Sequence, residues 1–430
     1  MSEKDHLKKE KSLSKKQCER KSNMSKALNE TLIREVVTEV LGRLEDDSKK
    51  HSASYSDSYS ASSPRSFRSP RSFRSRRNGV FERADEACEA AHEAYLSLQS
   101  KGVEARRKVE EIIKKMCSEK AEEWGRIELE ETKIGRLDHK IEKLQIIKLV
   151  PGVEWLRPDG RSGDHGITLE EYAPFGVIGA VTPSTHSIPT LAGNVVNMIG
   201  AGNAVVFNAH PAAARCAAIA VREFNKVIEK ETGIANLICI IEEPSFDSFK
   251  EMCAHDAVRL LCVTGGKGVV DAAMRIGKRA ICAGPGNPPV LVDETACLKK
   301  AAEAIIQGAA YDNNLLCIGE KECFVLDEVA DELMSALKTA GAIQLNERQL
   351  EQLSQAAFTF KKGKSSEAIV NKDLIGKDAS VLAKFAGMNV QGSELLFAET
   401  SADHPFVKEE QMMPFLPIVR VHSVEKGIEE

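Results

Sequence analysis

From Tyr172 onward, short β-branched runs alternate with helical stretches, and this alternation constrains the fold more than any other feature. The runs are Gly176–Thr182, Ala204–Phe207, Leu237–Ile241, Arg259–Val263 and Pro289–Val292. Helical patterns lie between them, for example Ala212–Glu229 and Ser245–Ala254. A β–α–β succession predicts an α/β fold with a parallel sheet covered on both faces. Nucleotide-type ligands bind such sheets beyond the carboxyl ends of the strands. Upstream, Ala84, Ala87, Cys88, Ala91, Ala94, Tyr95 and Leu98 form one helical stripe, and a second, charged helix is expected from Val103 to Trp124.

The chain is too long for a single core: 430 residues suggest two or three units. Its net charge of −5 hides a division. Residues 1–77 carry 19 Lys/Arg against 11 Asp/Glu, a net +8, so the remainder carries −13. Within the head, residues 1–28 read as a disordered basic segment. In 29–46, Leu32, Ile33, Val36, Val37, Val40, Leu41 and Leu44 share one helical face behind an Asn29 N-cap. A helix this short needs a surface on which to bury its stripe. Its polar face mixes Glu and Arg, which favours a protein groove over a membrane. Residues 47–78 form a Ser/Arg-rich linker with a tandem Ser-Pro-Arg-Ser-Phe-Arg repeat at 63–74. Arg with interleaved Phe67 and Phe73 also suits RNA, although the acidic body argues against nucleic acid as a general partner.

No run approaches the ~18 apolar residues of a membrane span, and no apolar segment follows the Lys-rich start as a secretory signal would require. Eleven cysteines without CxxC spacing fit a reducing cytoplasm and offer no zinc motif, so no metal is expected. Gly200-Ala201-Gly202 precedes a run rather than following one, so it reads as a helix-to-strand turn. Thr264-Gly265-Gly266-Lys267-Gly268 follows a run and opens a helix, where bare amides either face a phosphate or merely turn the chain. Gly284-Pro285-Gly286-Asn287-Pro288-Pro289 is rigid non-regular backbone, either a site wall or a hinge. Cys317 follows Asp312-Asn313-Asn314-Leu315-Leu316; a lone cysteine is commonly a small buried hydrophobe, while the polar lead-in and Gly319 favour a loop where the thiol can meet substrate.

Taken together, Tyr172–Pro183, Gly200–Phe207, Val263–Gly266, Gly284–Pro289, Asn313–Cys317 and Glu410–Pro414 resemble the aldehyde dehydrogenase superfamily over roughly residues 79–430. More narrowly, the chain is similar to the CoA-acylating propionaldehyde dehydrogenases of propanediol- or fucose-utilising bacterial microcompartments. The resemblance implies a Rossmann-type NAD/CoA-binding domain over 79–282 and an α/β catalytic domain over 283–409. A segment 410–430 would return toward the cofactor site, and the family continues further. It makes Cys317 the nucleophile, with its backbone amide and the Thr185 hydroxyl as oxyanion donors. Thr182, Pro183, Asn208, Pro211, Thr264, Gly265, Gly266, Gly284 and Glu410 become cofactor contacts. Asn208 stands where many relatives carry a lysine that reaches the adenosine ribose, which implies looser adenosine binding.

Hydrolytic relatives carry a glutamate base where this chain has Ala283, and alanine cannot activate water. A thiol attacks a thioester readily, so the expected acceptor is coenzyme A. The expected reaction turns propionaldehyde or a similar short aldehyde, NAD and CoA into acyl-CoA and NADH. The alternatives are hydrolysis to the carboxylic acid, or a non-catalytic scaffold or RNA-binding protein using the basic head. The resemblance further implies a homo-oligomer, dimer or tetramer, held in the lumen of a cytoplasmic microcompartment by residues 29–46 docked on a shell protein.

Overall fold

The computed structural model describes residues 78–360 and 368–430. The head segments 1–28 and 29–46, and all but the last residue of the linker 47–78, lie outside the described residues.

Six strands form one parallel sheet in the spatial order Val80–Phe81, Ile238–Ile241, Ala204–Ala209, Val177–Thr182, Val258–Thr264, Ala280–Ala283. Four of the expected β-branched runs are strands of this sheet. Val177–Thr182, Ala204–Ala209 and Ile238–Ile241 are buried at every position. That is what a parallel strand covered on both faces requires. Helices Ala84–Glu119, Ser187–Gly200 and Ala214–Thr232 pack on one another and on the sheet. Trp124 meets Phe224 edge-on at 5.1 Å, which fixes the Ala121–Thr132 helix to the same core. The fifth run, Pro289–Val292, belongs to a second parallel sheet, in the order Ile343–Gln344, Leu396–Thr400, Phe415–Val421, Glu322–Leu326, Pro289–Val292. The chain therefore crosses between sheets through the Gly- and Pro-rich segment 284–288.

Local chemistry sets the boundaries. The helix Phe246–Ala254 starts on a capping box between Ser245 and Ser248. The turn at 200–203 is the expected helix exit: Gly202 has φ +86°, and the Gly202 and Asn203 N–H groups donate to the Ile199 and Met198 carbonyls at 2.8 and 2.9 Å. The expected second helix over Val103–Trp124 is divided differently. Gly102, at φ 74°, breaks the first long helix, which resumes to Glu119, and a new helix begins at Ala121. An antiparallel hairpin, Asp159–Gly163 with Gly166–Glu170, is exposed along its whole length.

Candidate active site

The order of the first sheet locates the site. From the central strand Val177–Thr182 the chain moves outward through Ala204–Ala209 to Ile238–Ile241, then returns to the opposite side at Val258–Thr264. Connections therefore diverge between Thr182 and Thr264, leaving a crevice where open α/β sheets bind ligands. A cavity of about 900 Å³ occupies this crevice. All eleven residues expected at the site line it: Thr182, Pro183, Thr185, Asn208, Pro211, Thr264, Gly265, Gly266, Gly284, Cys317 and Glu410. They come from strand ends of the first sheet and from segments that lead into strands of the second, and are up to 228 positions apart in sequence (Thr182 to Glu410).

The walls fit a dinucleotide in composition. The buried Thr182 hydroxyl has no hydrogen-bond partner among the described residues, and a buried polar atom left so invites a ligand. Gly266 caps the helix Lys267–Arg275, and a Cβ there would enter open space. That leaves backbone and helix amides accessible to a pyrophosphate. The Asn208 amide is committed to the protein: it donates to the Ser245 carbonyl at 3.4 Å and accepts from the Ser248 hydroxyl at 2.7 Å. Burial raises Glu410 above the usual carboxylate range, while Lys321 and the Gly286 N–H oppose the shift.

The nucleophile loop is built on unusual backbone. Asp312, Asn313 and Asn314 have φ of 49°, 56° and 61°, three consecutive left-handed residues, all buried. Such residues cost ~1–2 kcal/mol each for most side chains, and Asp and Asn tolerate them best. The Asp-Asn-Asn lead-in is therefore a geometric requirement. The Asn313 amide donates to the Gly376 carbonyl and to Asp378, both at 2.9 Å, and Asn314 donates to the Glu320 carbonyl at 2.9 Å. Half-buried Cys317 follows, its thiol unpaired like the other nine cysteines among the described residues.

The Gly284–Pro289 segment abuts this loop. A Cβ on Gly286 would collide with the Cys317 carbonyl and lie 3.4 Å from the Cys317 Cβ. The obstacle is backbone and cannot swing aside. Gly286→Ala is expected to leave the protein folded but lower kcat/KM by about 10²-fold, the scale set by a nucleophile displaced by ~1 Å. Steady-state kinetics beside a thermal melt checks this, and an unchanged kcat/KM would remove the segment from the site.

Several lining residues lacked a readable signal. Lys143 sits in a helical pattern far upstream and forms a buried ion pair with Asp312. His186 carries a buried Nδ1 without a partner among the described residues, and burial together with Lys143 and Lys140 holds its ring well below the ordinary histidine range, hence neutral. Phe246, 52% exposed and stacked on Phe249, follows the Ile238–Ile241 strand end, a position that strand topology alone would have marked. Ala283 ends its strand, immediately before Gly284. The carboxylates on the cavity wall are Glu320 and Glu410. Among the described residues no cluster of His, Cys, Asp and Glu is arranged to hold a metal, and no helix is long and apolar enough to cross a membrane.

With this geometry, the chain belongs to the aldehyde dehydrogenase family, whose model matches residues 74–430. Its relatives fall in the acylating branch, as the motifs implied. It is 41% identical over 353 residues to acetaldehyde dehydrogenase (acetylating) EutE of Salmonella typhimurium, covering 81% of this chain and 75% of that one. It is similar to a propionaldehyde dehydrogenase from the Clostridium phytofermentans fucose utilisation bacterial microcompartment, with TM-score 0.77, 42% identity, and coverage of 82% and 80% of the two chains. The Rhodopseudomonas palustris propionaldehyde dehydrogenase with bound propionyl-CoA gives TM-score 0.78 at 39% identity, covering 82% and 78%.

Proposed function

We propose that the protein oxidises propionaldehyde, or a similarly short aldehyde, with NAD and transfers the acyl group from Cys317 to coenzyme A. The observation that carries this reading is the convergence of Cys317 with the strand-end residues Thr182 and Thr264 in one cavity. The Cys317 thiolate attacks the aldehyde carbon, forming a C–S bond and a thiohemiacetal oxyanion. The Cys317 amide and the Thr185 hydroxyl are the oxyanion donors. A bound NAD would supply the hydride acceptor, and loss of hydride from the same carbon would leave a thioester on Cys317. The CoA thiolate then attacks the thioester and expels the Cys317 thiolate. Thr264, Gly265 and Gly266 would hold the pyrophosphate and nicotinamide portion of the cofactor and Glu410 its nicotinamide ribose, with Thr182, Pro183 and Gly284 as further cofactor contacts. Asn208 and Pro211 border the adenosine end, where a tied-down amide in place of a long cation supports weak holding and easy exchange of NAD for CoA. The experiment that tests this is the CoA dependence of NADH formation; equal turnover with and without CoA returns the chain to the hydrolytic class.

The same reading places the enzyme in a bacterial microcompartment, with residues 29–46 docking their apolar stripe on a shell protein. Deleting residues 1–50 is expected to leave catalysis unchanged and abolish co-purification with shells. Shell association that survives the deletion would locate the signal elsewhere. An oligomer is supported by the exposed hairpin, whose Ile167 and Leu169 are 82% and 64% accessible. A two-stranded ribbon is marginal by itself and gains stability when a partner covers it.

A further inference from the structure

Lys321 is a fully buried cation that the reaction above does not use. Its ammonium donates to the Asn314 carbonyl at 2.9 Å, to the Asn314 side-chain oxygen, and to the Leu316 carbonyl at 3.0 Å. Three protons meet three acceptors, so none is left for another partner. Lys321 is not part of the cavity wall, whereas Cys317, Leu316 and Leu315 are. It therefore lies behind the nucleophile loop and cannot touch substrate. Its own backbone is fixed by an N–H bond to the Pro288 carbonyl at 3.0 Å, in the rigid segment that also abuts Cys317.

The consequence follows from peptide geometry. The Leu316–Cys317 peptide is planar and trans, so its C=O and N–H point in opposite directions. A Leu316 carbonyl directed at Lys321, and shared with the Gly319 N–H at 3.1 Å, sends the Cys317 N–H away from Lys321. An ammonium on the carbonyl also polarises the same peptide and strengthens its N–H as a donor. We propose that Lys321 is a positioning residue that aims and polarises the Cys317 amide as the oxyanion donor. Burial lowers Lys321 to about 8, with Glu410, Cys317 and Glu320 opposing, so it still carries its third proton at neutral pH.

This inference rests on Cys317 as nucleophile, and the experiment separates the two. Two reactions are followed on the full chain. One is the pre-steady-state NADH burst with propionaldehyde, which needs both a thiolate and an oxyanion donor. The other is alkylation of Cys317 by iodoacetamide, read by peptide mass, which needs the thiolate but forms no oxyanion. Lys321→Met keeps the stem and removes all three donors. It is expected to slow the burst about 10²–10³-fold, the cost of a lost oxyanion donor, and alkylation less than about 10-fold. Lys321→Gln, with two N–H donors and no charge, should fall between, and guards against misfolding of the Met variant. Equal slowing of both reactions marks a merely structural role and overturns the proposal, as does a burst unchanged in both variants. If the wild-type protein acquires no acyl group on Cys317, the nucleophile assignment itself fails.

Discussion

Given propionaldehyde and NAD without coenzyme A, the protein is expected to form about one NADH per active site and then stall, with the acyl group retained on Cys317. Adding CoA should release it and restore continuous turnover. General base catalysis contributes ~10²–10⁴-fold to the attack of water. A site lacking such a base should therefore hydrolyse its thioester at least ~10²-fold more slowly than it transfers it to CoA. The absence concerns the Ala283 position, since Glu320 and Glu410 do line the cavity. Glu410 is the sharper rival because burial raises it above the usual carboxylate range. If it served as the base, NADH formation would continue without CoA and Glu410→Gln would stop it. Stopped-flow absorbance with intact-mass detection of the propionyl adduct distinguishes these outcomes. Cys317→Ser should lose both burst and adduct, and a persistent burst in that variant would move the nucleophile elsewhere.

The site was legible where its chemistry is written in short local strings. Thr264-Gly265-Gly266 follows a strand and opens a helix, and the sequence states both facts. Cys317 was legible only as a loop thiol behind a polar Asp-Asn-Asn lead-in, and its role came from the family resemblance; the left-handed backbone before it is visible only in the structure. Most strands of the second sheet, beyond the expected Pro289–Val292, were hidden for a different reason. Glu322–Leu326 and Leu396–Thr400 are short apolar runs without β-branched periodicity, and such runs are indistinguishable from buried helix segments by pattern alone. Lys321 and Lys143 were missed because each reads as an ordinary surface lysine. Their burial depends on partners, such as Asp312 for Lys143, that only the tertiary fold brings close. The same limit applies to His186, whose neighbours Lys140 and Lys143 arrive from a helix more than 40 positions away.

Replacing Asp312 with Ala is expected to be the most destabilising single change among the residues around the Cys317 loop. Asp312 and Lys143 pair with their side chains 0% and 1% exposed. The carboxylate also accepts the Arg136 N–H at 2.7 Å, and the Asp312 N–H donates to His139 Nδ1 at 2.8 Å. Removing the carboxylate strands a buried ammonium. Burial already depresses Lys143, and neighbouring Lys140 depresses it further, so the lysine must shed its proton or admit water. Breaking one side of a buried pair costs about 3–5 kcal/mol, or on the order of 5 °C in melting temperature for a chain of this size. Activity should fall as well, because Asp312 begins the left-handed run that presents Cys317. The double variant Lys143→Met/Asp312→Leu removes both charges together and should recover much of the stability, since a packed apolar pair often matches a buried ion pair. It should not recover the activity, because leucine does not tolerate the left-handed backbone as aspartate does. Recovery of stability without catalysis would separate the two roles of Asp312, countercharge for Lys143 and first residue of the nucleophile turn. A melting temperature unmoved by Asp312→Ala would show that the pair contributes nothing net, and that the turn is held by Asn313, Asn314 and Lys321 alone.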